Sequence, residues 1–168
     1  MYSALNVAEG YLSQNSEASV TVLEEFEKIL EEAQGAIDAA LDDDLNTPEV
    51  MGKIFEMVRG FNAQVKPHAQ ASAKILAQCY CFKNFVRNNG KVMSLFQEKP
   101  ESYLKVLDDM LLQQNDLQRD QIDLLVKQRR QARREKNYAK ADELRDQLIE
   151  LGIELHDAPN GSFWEVKK

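Results

Sequence analysis

Three residues near the C-terminal end have types and spacing that could read a nucleic-acid base: Tyr138, Asp142 and Arg145. If a helix begins at Tyr138, they fall at i, i+4 and i+7 and share one face. The ring offers a stacking surface, the carboxylate accepts from base amino groups, and the guanidinium can hold phosphate. Just upstream, from Lys127 to Lys140, seven cations stand against Glu135 alone. Within that stripe Lys127, Arg129, Arg130, Arg134 and Lys136 are the expected contacts to a phosphate backbone. Spacing by itself fits a plain solvated face equally, with an Asp142–Arg145 pair and Tyr138 packed at the helix start. That arrangement is the commoner one, and Arg133 and Arg134 taken alone are more often solvated charges than readers of sequence.

No other constellation competes. There is no phosphate-cradling glycine loop, no HExxH and no nucleophile elbow, so no catalytic residue is expected. Asp42-Asp43-Asp44 could attract a divalent cation, but it lacks the spaced ligands and glycine of a calcium loop, and a solvated helix end is preferred. Cys79 and Cys81 are one residue apart in an apolar stretch. His68 and His156 are not at ligand spacing from them, so the thiols are expected buried and unpaired, and no metal site is expected. Trp164, in a short terminal hairpin, is expected in a small core rather than as a stacking platform.

The whole chain sets the context. With 168 residues it fits one medium domain or one domain with a small appendage. Its net charge of −7 argues against indiscriminate nucleic-acid binding, yet the basic stripe can hold a backbone locally. No run of about 18 apolar residues exists, so no membrane partner is expected. The opening MYSALNVAEGYLSQ has neither the basic nor the apolar part of a secretory signal, and the free thiols suit a reducing compartment. A cytoplasmic location is expected.

Periodicity supplies the elements that must position these residues. Val22, Phe26, Ile29, Ala33, Ile37 and Leu41 mark an amphipathic helix that stops near Asp42. Thr47 is expected to cap a second helix with Pro48 in its first turn, running to Pro67 on Val50, Ile54, Met57, Phe61 and Val65. A third follows Ile75, Cys79, Phe82 and Val86 and ends near Asn88-Asn89-Gly90, and a shorter one covers Glu101 to Gln113. Polar residues around Gln113–Asp116 separate residues 1–116, a helical bundle, from residues 117–168, a C-terminal tip. In the tip one helix enters the basic stripe, and Asn137 caps another whose inner face is Ala141, Leu144, Leu148 and Leu151. Gly152 ends it, and Ile153–His156 and Phe163–Val166 flank a Pro159-Asn160-Gly161 turn. The expected fold is mainly α: an antiparallel helical bundle followed by a small α/β tip of two helices and a short β-hairpin.

Two stretches carry a family resemblance. Ala40 to Asn62, ALDDDLNTPEVMGKIFEMVRGFN, resembles the signature of the helical domain that follows the catalytic core in cysteinyl-tRNA synthetases. Arg129 to Val166, with its Ala-Arg, Ala-Asp, Arg-Asp, Gly-Ile and closing Asp-x-Pro-x-Gly-x-x-Trp, resembles the C-terminal end of the same family. Together they span a little over a third of the chain, in the family's order. The resemblance implies that the bundle lies along a tRNA and that the tip reads the cysteine anticodon. By position it implies anticodon contacts from Arg133, stacking from Tyr138 where the family has tryptophan, and base-edge hydrogen bonds from Asp142 and Asp157. Asn137 and His156 stand where the family has acidic residues.

The family's HIGH and KMSKS signatures and its zinc ligands are not found in this sequence. The resemblance therefore places ATP and a zinc ion in the catalytic domain of a parent enzyme, implies that domain as a second partner, and implies no cofactor here. The chain is expected to be inactive alone as a ligase, as an excised part or a separate module. Two functions follow: an anticodon-reading part of a cysteine–tRNA ligase, or a free-standing helical module on the same fold that binds RNA or protein.

Overall fold

The computed structural model describes residues 1–14, 24–67, 69–158 and 161–167, and for residues 24, 25, 157, 158, 161 and 162 the backbone alone. Val22, His68 and the Pro159-Asn160 part of the expected turn lie outside the described residues. Seven helices and one hairpin are found among those described: α1 (Tyr2–Ser13), α2 (Glu24–Asp42), α3 (Thr47–Gln64), α4 (Ala73–Val92), α5 (Pro100–Gln114), α6 (Arg119–Arg134), α7 (Tyr138–Glu150), β1 (Ile153–Ala158) and β2 (Gly161–Val166). The fold is mainly α with a two-stranded antiparallel tip, as expected.

Packing divides the described residues into two compact units, Met1–Tyr103 and Leu104–Lys168. The polar break at Gln113–Asp116 is the turn between α5 and α6, where Asp116 takes φ 55°. The division falls earlier, inside α5, because the second half of that helix packs with the tip. Leu112 belongs to the core formed by Ile122, Val126, Leu148, Ile153 and Val166, and the buried Asp108 accepts the Val166 N–H at 3.4 Å.

The first unit packs α1 on α4, α2 on α3, and α3 on α4. Its centre is a stacked Phe61–Phe82 pair, ring centroids 4.1 Å apart, surrounded by Leu5, Ile37, Ile54 and Val86. Each such buried side chain contributes roughly 1.5–3 kcal/mol of transfer free energy. Cys79 and Cys81 are buried and unpaired there, as expected, and burial pushes the Cys79 thiol up to about 11. Polar side chains bordering this core are hydrogen-bonded. Asn89 and Gln34 exchange amide hydrogen bonds at 3.0 and 3.2 Å, and Arg87 meets Glu9 at 2.8 Å.

The N-terminal segment, for which no separate element was expected, is a helix, α1, whose Leu5, Ala8 and Leu12 are buried at helical spacing. Three local expectations are corrected. The cap of α3 is Asn46 rather than Thr47: Asp44 and Leu45 both take φ 56°, and this turns Asn46 so that its side chain accepts the Glu49 N–H. Helix α4 continues past Gly90, which is a close-approach position and not a terminator, since a Cβ there would lie 2.6 Å from the Leu95 carbonyl oxygen. Ile29, expected on the buried face of α2, is exposed and lines a groove with Phe26, Met57 and Gly60.

Candidate nucleic-acid interface

The second unit brings the basic stripe and the Tyr138 face together through one tight turn. Helix α6 ends at Arg134, and Lys136 takes the left-handed conformation at φ 58°. The Lys136 N–H then donates to Arg133 O at 3.1 Å, and the Asn137 N–H to Ala132 O at 2.9 Å. These are the two bonds of a Schellman termination, with a lysine where glycine is usual. Asn137 closes one helix with its backbone and opens the next with its side chain, which accepts the Lys140 N–H at 3.2 Å. Small residues at the elbow, Ala132 and Ala141, are buried between α6 and α7.

This turn places Arg133, Arg134, Lys136 and Tyr138 within one short stretch of exposed chain. The cations near the α6 C-terminus also complement its dipole. Tyr138 occupies the first turn of α7 and is 63% exposed, so it is not packed at the helix start. Asp142 and Arg145 are exposed one and two turns on, and they form no ion pair with each other. The alternative built on an Asp142–Arg145 pair and a packed Tyr138 is therefore not what the structure contains.

Helix phase sorts the cations. Ile122, Val126, Arg129 and Ala132 form the inner side of α6. Arg129, expected as a phosphate contact, is only 7% exposed and is corrected to an interior residue, because it falls seven residues after Ile122 on the core side. Lys127, Arg130 and Arg134 lie on the outer side and line a groove of about 540 Å³. Its remaining walls include Arg119, Asp123, Phe163 and Trp164.

Trp164 both packs against the tip core, as expected, and lines this groove. Its Nε1–H donates to Asp123 Oδ1 at 2.7 Å, and the Arg119 guanidinium lies over the ring at 4.5 Å from the centroid. Arg119 is in turn held by Asp109 at 2.6 Å and donates to Lys105 O. Sequence reasoning missed Arg119, Asp123 and Phe163 as parts of this wall. The i, i+4 spacing of Arg119, Asp123 and Lys127 was the available signal, but nothing local says that β2 returns beside it.

Asp157, expected to accept from base edges, is in β1 opposite Ser162, and its side chain lies outside the described residues. The hairpin register does bring three side chains together that the sequence did not suggest as a group: Glu154, His156 and Glu165. By sequence, His156 is weighed only as a partner for Cys79 and Cys81, and not with its carboxylate neighbours on the opposite strand and two residues back. The strand pairing brings all three together.

Comparison with known proteins agrees with the two regions singled out by motif. The DALR domain family matches residues 36–97, and the cysteinyl-tRNA ligase anticodon binding domain matches residues 118–164. A cysteine–tRNA ligase of Bdellovibrio bacteriovorus is 44% identical over 168 residues, all of this chain and 34% of that protein. The chain belongs to the cysteinyl-tRNA synthetase family. It corresponds to the C-terminal region of these synthetases. One from Nitratidesulfovibrio vulgaris is 30% identical over 99% of the chain and 34% of its own length, and one from Tolumonas auensis is 40% identical over 77% of the chain and 26% of its own length. The chain thus spans about a third of the length of the curated synthetases it matches. Within the family's anticodon-binding match lie Arg133, Tyr138 and Asp142, as do the groove residues Lys127, Arg130, Arg134 and Trp164. No helix among the described residues is long and apolar enough to cross a membrane.

Proposed function

We propose that this chain binds the anticodon stem-loop of cysteine tRNA, and that it does so as part of an enzyme that ligates cysteine to that tRNA. The observation that carries the reading is the exposed α7 face of Tyr138 and Asp142 within the region that matches an anticodon binding domain. Tyr138 stacks on an anticodon base. Asp142 and Asp157 accept from base edges, each correct contact being worth about 1–3 kcal/mol of discrimination. Arg133 contacts the loop at the turn, while Lys127, Arg130, Arg134 and Lys136 hold phosphates without regard to sequence. The groove beside Trp164 gives those phosphates a track from the turn towards the hairpin.

In this reading ATP and zinc serve the catalytic domain of the parent enzyme, which is the second partner, in the cytoplasm. The tip's work is positional: a held anticodon places the acceptor end of the tRNA for aminoacylation, and a wrong anticodon loosens the hold.

The test is a titration of the chain with a cysteine anticodon stem-loop and with the same stem bearing a scrambled anticodon, at one moderate salt concentration. Preference for the cysteine loop supports the reading. Equal, salt-sensitive binding of both reduces the function to backbone attachment, and binding of neither favours a protein-interaction module.

A further inference from the structure

The outer face of the hairpin carries an arrangement that anticodon reading does not use. In the β1–β2 register Glu154 stands directly opposite Glu165, and His156 stands opposite Phe163. Residues two apart on a strand share a face, so Glu154, His156, Phe163 and Glu165 are on one side, away from the Ile153–Val166 core pair. Two carboxylates facing each other across a two-stranded ladder repel, and a cation held by both would offset that repulsion beyond what the 3.0 Å His156–Glu165 hydrogen bond does.

We propose that Glu154, His156 and Glu165 form a binding site for a borderline divalent cation of the zinc class. One ligand atom from each residue lies within 4.8 Å of the other two. His156 Nε2 and Glu165 Oε1 are already 3.0 Å apart. Bonds of about 2.0–2.1 Å in a tetrahedral site need ligand separations of about 3.3–3.4 Å. That edge therefore opens slightly, and the exposed Glu154 side chain closes the other two by rotation. The His156 ring stacks on Phe163 at 4.8 Å between centroids and 19° between planes, which holds its plane ready for the ion. Three protein ligands leave a fourth position for water.

The donor set selects the ion. One imidazole nitrogen with two carboxylates suits zinc, cobalt, nickel or copper, whereas magnesium and calcium require six or more oxygens. Ligation replaces the present His156–Glu165 hydrogen bond with a link across both strands. It ties β1 to β2 at the residue preceding Asp157 in the chain, so the ion would stiffen the strand segment that carries that residue. The site itself stands independently of the RNA reading.

The experiment uses the whole chain, stripped with a chelator, and titrates it calorimetrically with zinc ion, with cobalt ion as an absorbance probe of tetrahedral geometry. One equivalent is expected to bind, to raise the thermal midpoint reported by Trp164 fluorescence, and to give tetrahedral cobalt bands. His156→Gln should abolish binding, and Glu154→Gln should weaken it about tenfold. His68→Gln should leave it unchanged, and circular dichroism checks that each variant is folded. Absence of saturable binding up to millimolar zinc overturns the proposal, as does binding that survives His156→Gln unaltered.

Discussion

The indole Nε1 of Trp164, on β2, donates to the Asp123 carboxylate of α6 at 2.7 Å, across 41 residues of chain. This bond, capped by the Arg119 guanidinium over the ring, fixes where the hairpin meets the basic face of α6. It joins the two sides of the groove, so it bears on stability and on RNA binding together. Trp164 is the sole tryptophan of the sequence, so its fluorescence reports the second unit directly.

Asp123→Ala should therefore destabilise the second unit by about 1–2 kcal/mol, the range for a partly exposed hydrogen bond to a charged group. Urea unfolding followed by Trp164 emission checks this. A shift within a few tenths of a kcal/mol would mean that the bond has no net value.

Asp142→Ala should weaken binding of a cysteine anticodon loop about tenfold or more while sparing a scrambled loop. Lys127→Ala should weaken both alike and lower the salt slope by about one. Filter binding at three salt concentrations separates the two behaviours. Equal loss on both loops for Asp142→Ala would rule out base reading there.

Lys136 holds a left-handed conformation that an L-residue adopts at a cost of about 1–2 kcal/mol. Lys136→Gly removes that cost but frees the unfolded chain, so the net gain should be about 0.5–1 kcal/mol. The same change deletes a cation, and RNA affinity should fall a few-fold as stability rises. Opposite movement of the two quantities, measured on one variant, is the expected signature of a strained residue kept for its charge.

Two glycines of the first unit should respond in opposite directions. Gly90→Ala drives a methyl against the Leu95 carbonyl and should cost about 1–3 kcal/mol. Gly60, within α3 and with nothing within 4 Å of its Cβ position, should gain roughly 0.5–1 kcal/mol on changing to Ala. Circular dichroism during thermal unfolding distinguishes them.

The sequence alone determined what short-range chemistry determines. Asn137 as a cap, Gly152 at φ 75° after α7, and the two paired strands were legible, because caps and short alternating runs depend on residues a few positions apart. The same locality exposed the basic stripe, the Tyr138–Asp142–Arg145 face and both family signatures. Tertiary structure decided which members of the stripe meet solvent. Arg129 is turned inward by the phase of α6 against its core, while Lys127, Arg130 and Arg134 are left on the groove. Charge composition is blind to that phase. Tertiary structure also decided the Trp164–Asp123 bond and the Glu154–His156–Glu165 cluster. The first depends on how the hairpin returns to α6, and the second on a strand register in which a slip of one residue would place every side chain on the other face.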